Sequence, residues 1–183
     1  MQEPIPGADP GAASLEFGPV GQLLFRASKV SAIMGGLMFV AIVVMSIISI
    51  VGRKLFAAPV PGDVEMLQMT AAFASASFFA YCHLNGGDVK VDFFTAKASP
   101  TTVHRLDAFG SLLVGLFGAV ITWRAAVGAF AIKAAGETSM ILGWPVWIAQ
   151  VLMVPGFLLM ALAGFYMLGF HWRKSAGHDG VKS

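Results

Sequence analysis

Four long apolar stretches constrain this chain more than anything else in it: residues 30–51, 64–84, 106–132 and 144–170, almost free of charge inside. About 20 mainly apolar residues in helical form cross a hydrocarbon layer of about 30 Å, and each stretch reaches that length. In lipid the backbone must satisfy its own hydrogen bonds, which a helix does within one segment. The sequence therefore predicts an all-α integral membrane protein with four transmembrane helices. A hydrophobic share of 57% against a charged share of 12% leaves no room for a soluble alternative. Residues 1–18, rich in Pro, Gly and Ala without apolar periodicity, read as a flexible tail. Residues 19–172 form one membrane domain and 173–183 a cytoplasmic tail. None of the connecting segments is long enough to bury a separate soluble core.

The positive residues set the orientation. With a cytoplasmic N-terminus, the inner side holds Arg26, Lys29, Lys90, Lys97, Arg105, Arg173, Lys174 and Lys182, eight against the four of the outer side, Arg53, Lys54, Arg124 and Lys133. Both termini are predicted to be cytoplasmic. A net charge of +2, carried near helix ends, is explained by topology and the lipid bilayer, so no nucleic-acid partner is expected. The single cysteine, Cys82, excludes an internal disulfide and reads as a small buried residue. The first apolar run exceeds a signal-peptide core and is broken by Arg53 and Lys54 before any cleavage-like residues, so it is read as a retained helix.

Short interfacial helical segments are expected beside the spans. Val20, Leu23, Leu24 and Phe25 alternate with Gln22, Arg26 and Lys29 ahead of the first span; Val89, Val91, Phe93 and Phe94 alternate with charges after the second. Pro59 and Pro61 break the chain between the first two spans, with Asp63 as N-cap of the second. Ser99 and Pro100 mark the start of the third helix, Trp144 and Pro145 that of the fourth, and Pro155 predicts a kink. Trp123, Trp144 and Trp147 fit one interfacial belt, Tyr166 and Trp172 the other. Ala72, Ala76 and Ala80 in the second span and Ser111, Gly115 and Ala119 in the third form small-residue stripes, expected to pack on each other.

Few residues carry chemistry. Arg124 lies inside the third span, where a cation is costly; it either pairs with Glu65, Glu137 or an acid on a partner, or snorkels to the outer headgroups. Glu65 opens the second span, where the helix dipole favours it. His83, His104 and His171 fall at span ends and His178 in the tail, so no pair of histidines faces inward to hold haem, and no metal-ligand spacing is visible. There is no nucleophile elbow, phosphate loop or carboxylate dyad, and no enzymatic activity is expected. Neither internal repeats nor broken helices point to a transport path within this chain.

The order of several features resembles the small membrane subunit of tripartite ATP-independent periplasmic (TRAP) transporters, the DctQ-type small permease. They are Arg53 closing the first helix, Glu65 opening the second, Gly87-Asp88-Val89-Lys90-Val91-Asp92, the Ser-Pro start of the third, and Gly136-Glu137-Thr138-Ser139 leading to Leu142-Gly143-Trp144-Pro145. Asp88 departs from the family, where a histidine is common. The resemblance implies a subunit that binds a large TRAP permease subunit, with a periplasmic solute-binding protein delivering an organic acid. Sodium coupling is then expected in the large subunit, and no cofactor in this chain. The expected partner interface is Arg53, Glu65, Arg124, Glu137 and Trp144 gathered at the periplasmic end, with the first and fourth helices turned to the large subunit. The competing reading is a membrane anchor for a haem- or quinone-linked oxidoreductase.

Overall fold

The computed structural model describes residues 17–87 and 100–179. They form four helices: α1 (Pro19–Phe56), α2 (Asp63–Leu84), α3 (Pro100–Ala135) and α4 (Val146–Asp179). Three of them, α1, α3 and α4, are long and apolar enough to cross a membrane. The 22-residue α2 has the length but a more polar composition: Asp63 and Glu65 open it, and Gln68, Thr70, Ser75, Ser77 and His83 follow. The expected tail at 1–16, the surface segment at 88–99 and the Ser99 cap lie outside the described residues.

The helices extend beyond the apolar stretches. α1 has 38 residues and thus a length of about 57 Å, nearly twice the hydrocarbon thickness. The interfacial helix expected at 20–29 is the first part of α1, because no Gly or Pro break separates it from the apolar run. Pro19 takes the first helical position, where its missing N–H costs nothing. At the other end Ala57 turns left-handed, Arg53 and Lys54 stand in the last turn facing the negative end of the helix dipole, and the prolines end the helix. The N-cap of α2 is Gly62, at φ 72°, and Asp63 is the first helical residue rather than the cap. α4 begins directly after Pro145, runs past Phe170 to Asp179, and contains Pro155.

The packing order is α1, α2, α4, α3, an open row in which α3 touches α4 alone among the other helices. α2 uses two faces. Ala74 and Ser77 meet α1 at Gly35, where an added Cβ would lie 2.9 Å from the Ala74 carbonyl oxygen, and Phe78 stacks on Phe39. On the other face Ala76 meets Gly156 of α4 backbone to backbone, and Phe79 stacks on Phe157. α4 turns its opposite side to α3: Gly164 lies against Gly115 and Ser111, and Ala161 against Gly118. Two small-residue stripes therefore exist, but they do not pack on each other. Both are taken up by α4, and in α3 the stripe runs through Gly118, with Ala119 exposed. In lipid a small residue permits close approach without naming the partner.

α1 leans on α4 near its own start, where Tyr166 lies over Gly21. There Phe17, Phe25, Ala80, Leu84, Ala163 and Met167 form the core shared by three helices. Phe17 meets the Tyr166 and Phe170 rings edge-on at 5.6 and 5.4 Å. Tyr166 therefore belongs to this core, whereas Trp123, Trp144 and Trp172 stand exposed as an interfacial belt requires. Cys82 is exposed, not buried. The ends of the row, α1 and α3, expose Val40, Ile47 and Ile50 and Leu113, Phe117 and Val120, and α4, packed between α2 and α3, still exposes Val151, Leu158 and Leu162.

Candidate functional site

At the end of the molecule where α1 stops, α2 starts and α3 turns into α4, the first turn of α2 binds both of its flanks. Residues two apart on a helix point about 200° away from each other, so Asp63 and Glu65 serve different neighbours. Asp63 turns to α1. Ser49 and Arg53, four residues apart and hence on one face, both reach it: Ser49 Oγ donates to Asp63 Oδ2 at 2.5 Å and Arg53 Nη2 at 3.1 Å. The Val60 amide donates to Ser49 Oγ at 3.3 Å, which fixes the Pro-rich turn to the same hydroxyl. The Val64 amide donates to Asp63 Oδ1 at 2.8 Å. The Ser49 hydrogen bond, aided by that amide and by the Arg53 charge against a partial opposing effect of burial, holds the Asp63 carboxyl below its ordinary value.

Glu65 turns to the α3–α4 connection. That connection closes on itself: Thr138 and Pro145 form an antiparallel bridge, the Ser139 amide donates to the Trp144 carbonyl at 2.8 Å, and the Trp144 amide donates to Ser139 Oγ at 3.2 Å. Gly136 and Gly143 take left-handed φ of 66° at its two corners. The closed loop presents two adjacent amides to one carboxylate. Ile141 donates to Glu65 Oε1 at 2.9 Å and Leu142 to Oε2 at 3.1 Å. Hydrogen bonds to an ionised acceptor are stronger than neutral ones. The Leu142 side chain sits on Gly62, where an added Cβ would lie 2.5 Å from Leu142 Cγ. Glycine at position 62 thus satisfies both a positive φ and a side chain lying on top of it.

The structure places the five expected interface residues unequally. Arg53 and Glu65 lie in this clasp, but each has a partner that the sequence did not indicate: Asp63 for Arg53 and backbone amides for Glu65. Glu137 and Trp144 stand in the two stems of the loop, both exposed; the Val146 amide donates to the Glu137 carbonyl at 3.3 Å. Arg124 stands apart. It lies eleven positions before the end of α3, about 16 Å along the axis, and makes no ion pair with Glu65, Glu137 or any other described residue. Its side chain is exposed at a shallow groove between α3 and α4, together with Val120, Gln150, Met153 and Phe157. Lys133, nearer the loop, places its Nζ 4.8 Å from the Trp147 ring centre.

The loop tip is apolar and open. Met140 and Ile141 are exposed, Met140 fully. Leu55 and Phe56 at the end of α1 are exposed at the same end of the molecule. Sequence reasoning missed Ser49 and Leu142, and it read Asp63 as an N-cap and not as the partner of Ser49 and Arg53. A Ser and an Arg four apart before a Pro-Gly turn, with an Asp directly after it, was the available signal for Ser49 and Asp63.

At the opposite end, the start of α3 and the last turns of α4 bring His104, Asp107 and His171 together, each half-buried. One ligand atom from each lies within 4.8 Å of the others, although His104 and His171 read from sequence as unrelated residues at span ends and Asp107 did not stand out.

Residues 30–174 match the family model described as "Tripartite ATP-independent periplasmic transporters, DctQ component". No curated protein and no solved structure matches the chain.

Proposed function

This chain belongs to the DctQ family, the small permease component of TRAP transporters, and from that premise we propose that it braces a large permease subunit and offers the Glu65 end as a docking face for a periplasmic solute-binding protein. DctQ is a family of transporter subunits, not of enzymes, and the chain is a multi-pass membrane protein. In the proposed arrangement all four helices cross the membrane with both termini cytoplasmic, following the bias in basic residues. α2 tolerates its polar composition because α1 and α4 cover two of its sides.

The open row of helices carries the bracing reading. A row packed through α2 and α4 leaves the outer faces of α1 and α3 unpaired, and neither a buried acidic pair nor a polar track runs through the described residues. A subunit built this way supports a neighbour better than it conducts a solute. Substrate recognition and sodium coupling then fall to the large subunit, with organic acids as the class delivered. The docking reading draws on the clasp. It holds the exposed Met140, Ile141 and Trp144 in a fixed position, and Arg53 and Glu137 supply charge of both signs around them.

Charge reversal tests this. In cells that carry the whole system, Glu65→Lys removes the acceptor for the Ile141 and Leu142 amides and is expected to reduce uptake, with the effect largest at limiting binding protein. Arg124→Glu is expected to lower recovery of the complex. Full uptake in Glu65→Lys would eliminate the docking role of the Glu65 end, and normal assembly in Arg124→Glu would remove Arg124 from the interface with the large subunit.

A further inference from the structure

His104 and Asp107 are three positions apart on α3 and so share a face, at the end of the helix remote from Glu65. α4 brings His171 to that face, because Gly164 and Gly115 hold the two helices at backbone contact. The two imidazoles lie nearly parallel, 29° between planes, with centres 6.2 Å apart. Phe170 meets the His171 ring edge-on at 5.8 Å, and Arg105 Nε donates to Ser175 Oγ at 3.4 Å, a second tie between the same helix ends.

We propose that His104, Asp107 and His171 form a binding site for a divalent transition metal ion of the zinc class, which cross-links α3 to α4 at this end. Two imidazoles and one carboxylate suit zinc, nickel or iron, whereas calcium and magnesium prefer all-oxygen sets. An ion about 2.0–2.2 Å from each ligand places the ligand atoms about 3.3 Å apart in tetrahedral geometry. The three atoms start within 4.8 Å of one another, so side-chain rotation of about 1–1.5 Å closes the site without moving either helix. Water fills the fourth position. The half-buried setting gives an ion access from the aqueous side, and His171 stands close to Arg173, where the apolar part of α4 ends.

The site would fasten the α3–α4 hairpin at one end as the closed loop fastens it at the other. Among the described residues α3 touches no helix but α4, so its attachment depends on this one partner. The bland alternative is that Asp107 only accepts a hydrogen bond from an imidazole, and it predicts no ion binding.

The test uses the full chain with a non-histidine affinity tag, alone and in complex with its large subunit, stripped by chelator and titrated with Co²⁺ as the optical probe. Saturable binding of one ion per chain is expected, with zinc competing and raising the melting temperature. His104→Gln and His171→Gln should each weaken binding by more than about tenfold, the least that loss of a supporting residue usually costs, while His83→Gln leaves it unchanged. If either variant fails to fold, X-ray absorption on the zinc-loaded native chain decides: a shell with two imidazoles supports the site. No saturable binding, a shell containing sulfur or fewer than two imidazoles, or unchanged affinity in both variants overturns it.

Discussion

Replacing Gly164 by alanine should loosen the α3–α4 interface more than any other single methyl group added to α4. The Cβ would arrive 2.5 Å from the Gly115 nitrogen, 2.6 Å from its Cα and 2.9 Å from the Ser111 carbonyl oxygen. All three are backbone atoms of α3, which no rotamer change can move. Ordinary contact requires about 3.4 Å or more, so the helices must separate by close to 1 Å along their line of contact. Such overpacking costs about 1–3 kcal/mol. Exchange of glycine for alanine inside a helix returns about 1 kcal/mol. The net expectation is a loss of up to about 2 kcal/mol, a factor of up to about 30 in the folded ratio. Gly169 supplies the control: it lies on the same helix with nothing within 4 Å of its added Cβ, so Gly169→Ala should be neutral or stabilising. Unfolding of both variants by increasing SDS in mixed micelles, followed by helix content, gives the comparison. Equal midpoints for the two variants would refute the claim that α3 and α4 meet at backbone contact here.

Three further outcomes are expected. The folded state holds the Asp63 carboxyl below its ordinary value, so the Ser49–Asp63–Arg53 cluster contributes its stability above the unfolded value of about 4 and loses it as pH falls through the lowered folded one. The gap in melting temperature between the native chain and Asp63→Asn should therefore be constant from neutral pH to about 5 and close below about 4. Gly62→Ala should destabilise the loop both through its positive φ and through collision with Leu142, and Leu142→Ala in the same chain should restore part of the loss; an additive double variant would show that the two do not touch. Glu65→Gln should speed amide hydrogen exchange at Ile141 and Leu142 while leaving the buried turns of α2 protected, and unchanged exchange at both amides would remove the clasp.

The spans were legible because hydrophobic length is a property of each segment alone. The apolar stretches at 30–51 and 106–132 each sit inside a helix of the fold, 144–170 does so from Val146 onward, and the helix starts at Pro100 and after Pro145 follow from proline chemistry. Helix order was not legible. A lipid-facing helix and one facing a neighbour are both apolar, so periodicity, which marks the core side of a soluble helix, carries little information here. Ala76 and Gly115 announced close approach, but both announced it to α4.

The site shows a related limit. Glu65 stood out as an acid at the mouth of a span, yet its partners are the amides of Ile141 and Leu142, and a backbone N–H has no residue identity to read. Arg124 drew attention for its cost in lipid, and a search for an acid to match it passed over the pair that forms, Arg53 with Asp63. For His104, Asp107 and His171, a His and an Asp three apart on α3 did not stand out from sequence, because the third member depends on how α4 crosses α3.

The central claim, that this chain is the small permease subunit of a tripartite transporter, is tested most directly by what it holds in its own membrane. The chain carries a C-terminal tag in its native host, is extracted in mild detergent, and its co-purifying proteins are identified by mass spectrometry. A large permease with many spans, in fixed ratio to this chain, is expected. Flavin or iron–sulfur subunits in its place would contradict the account and make the redox anchor the correct reading.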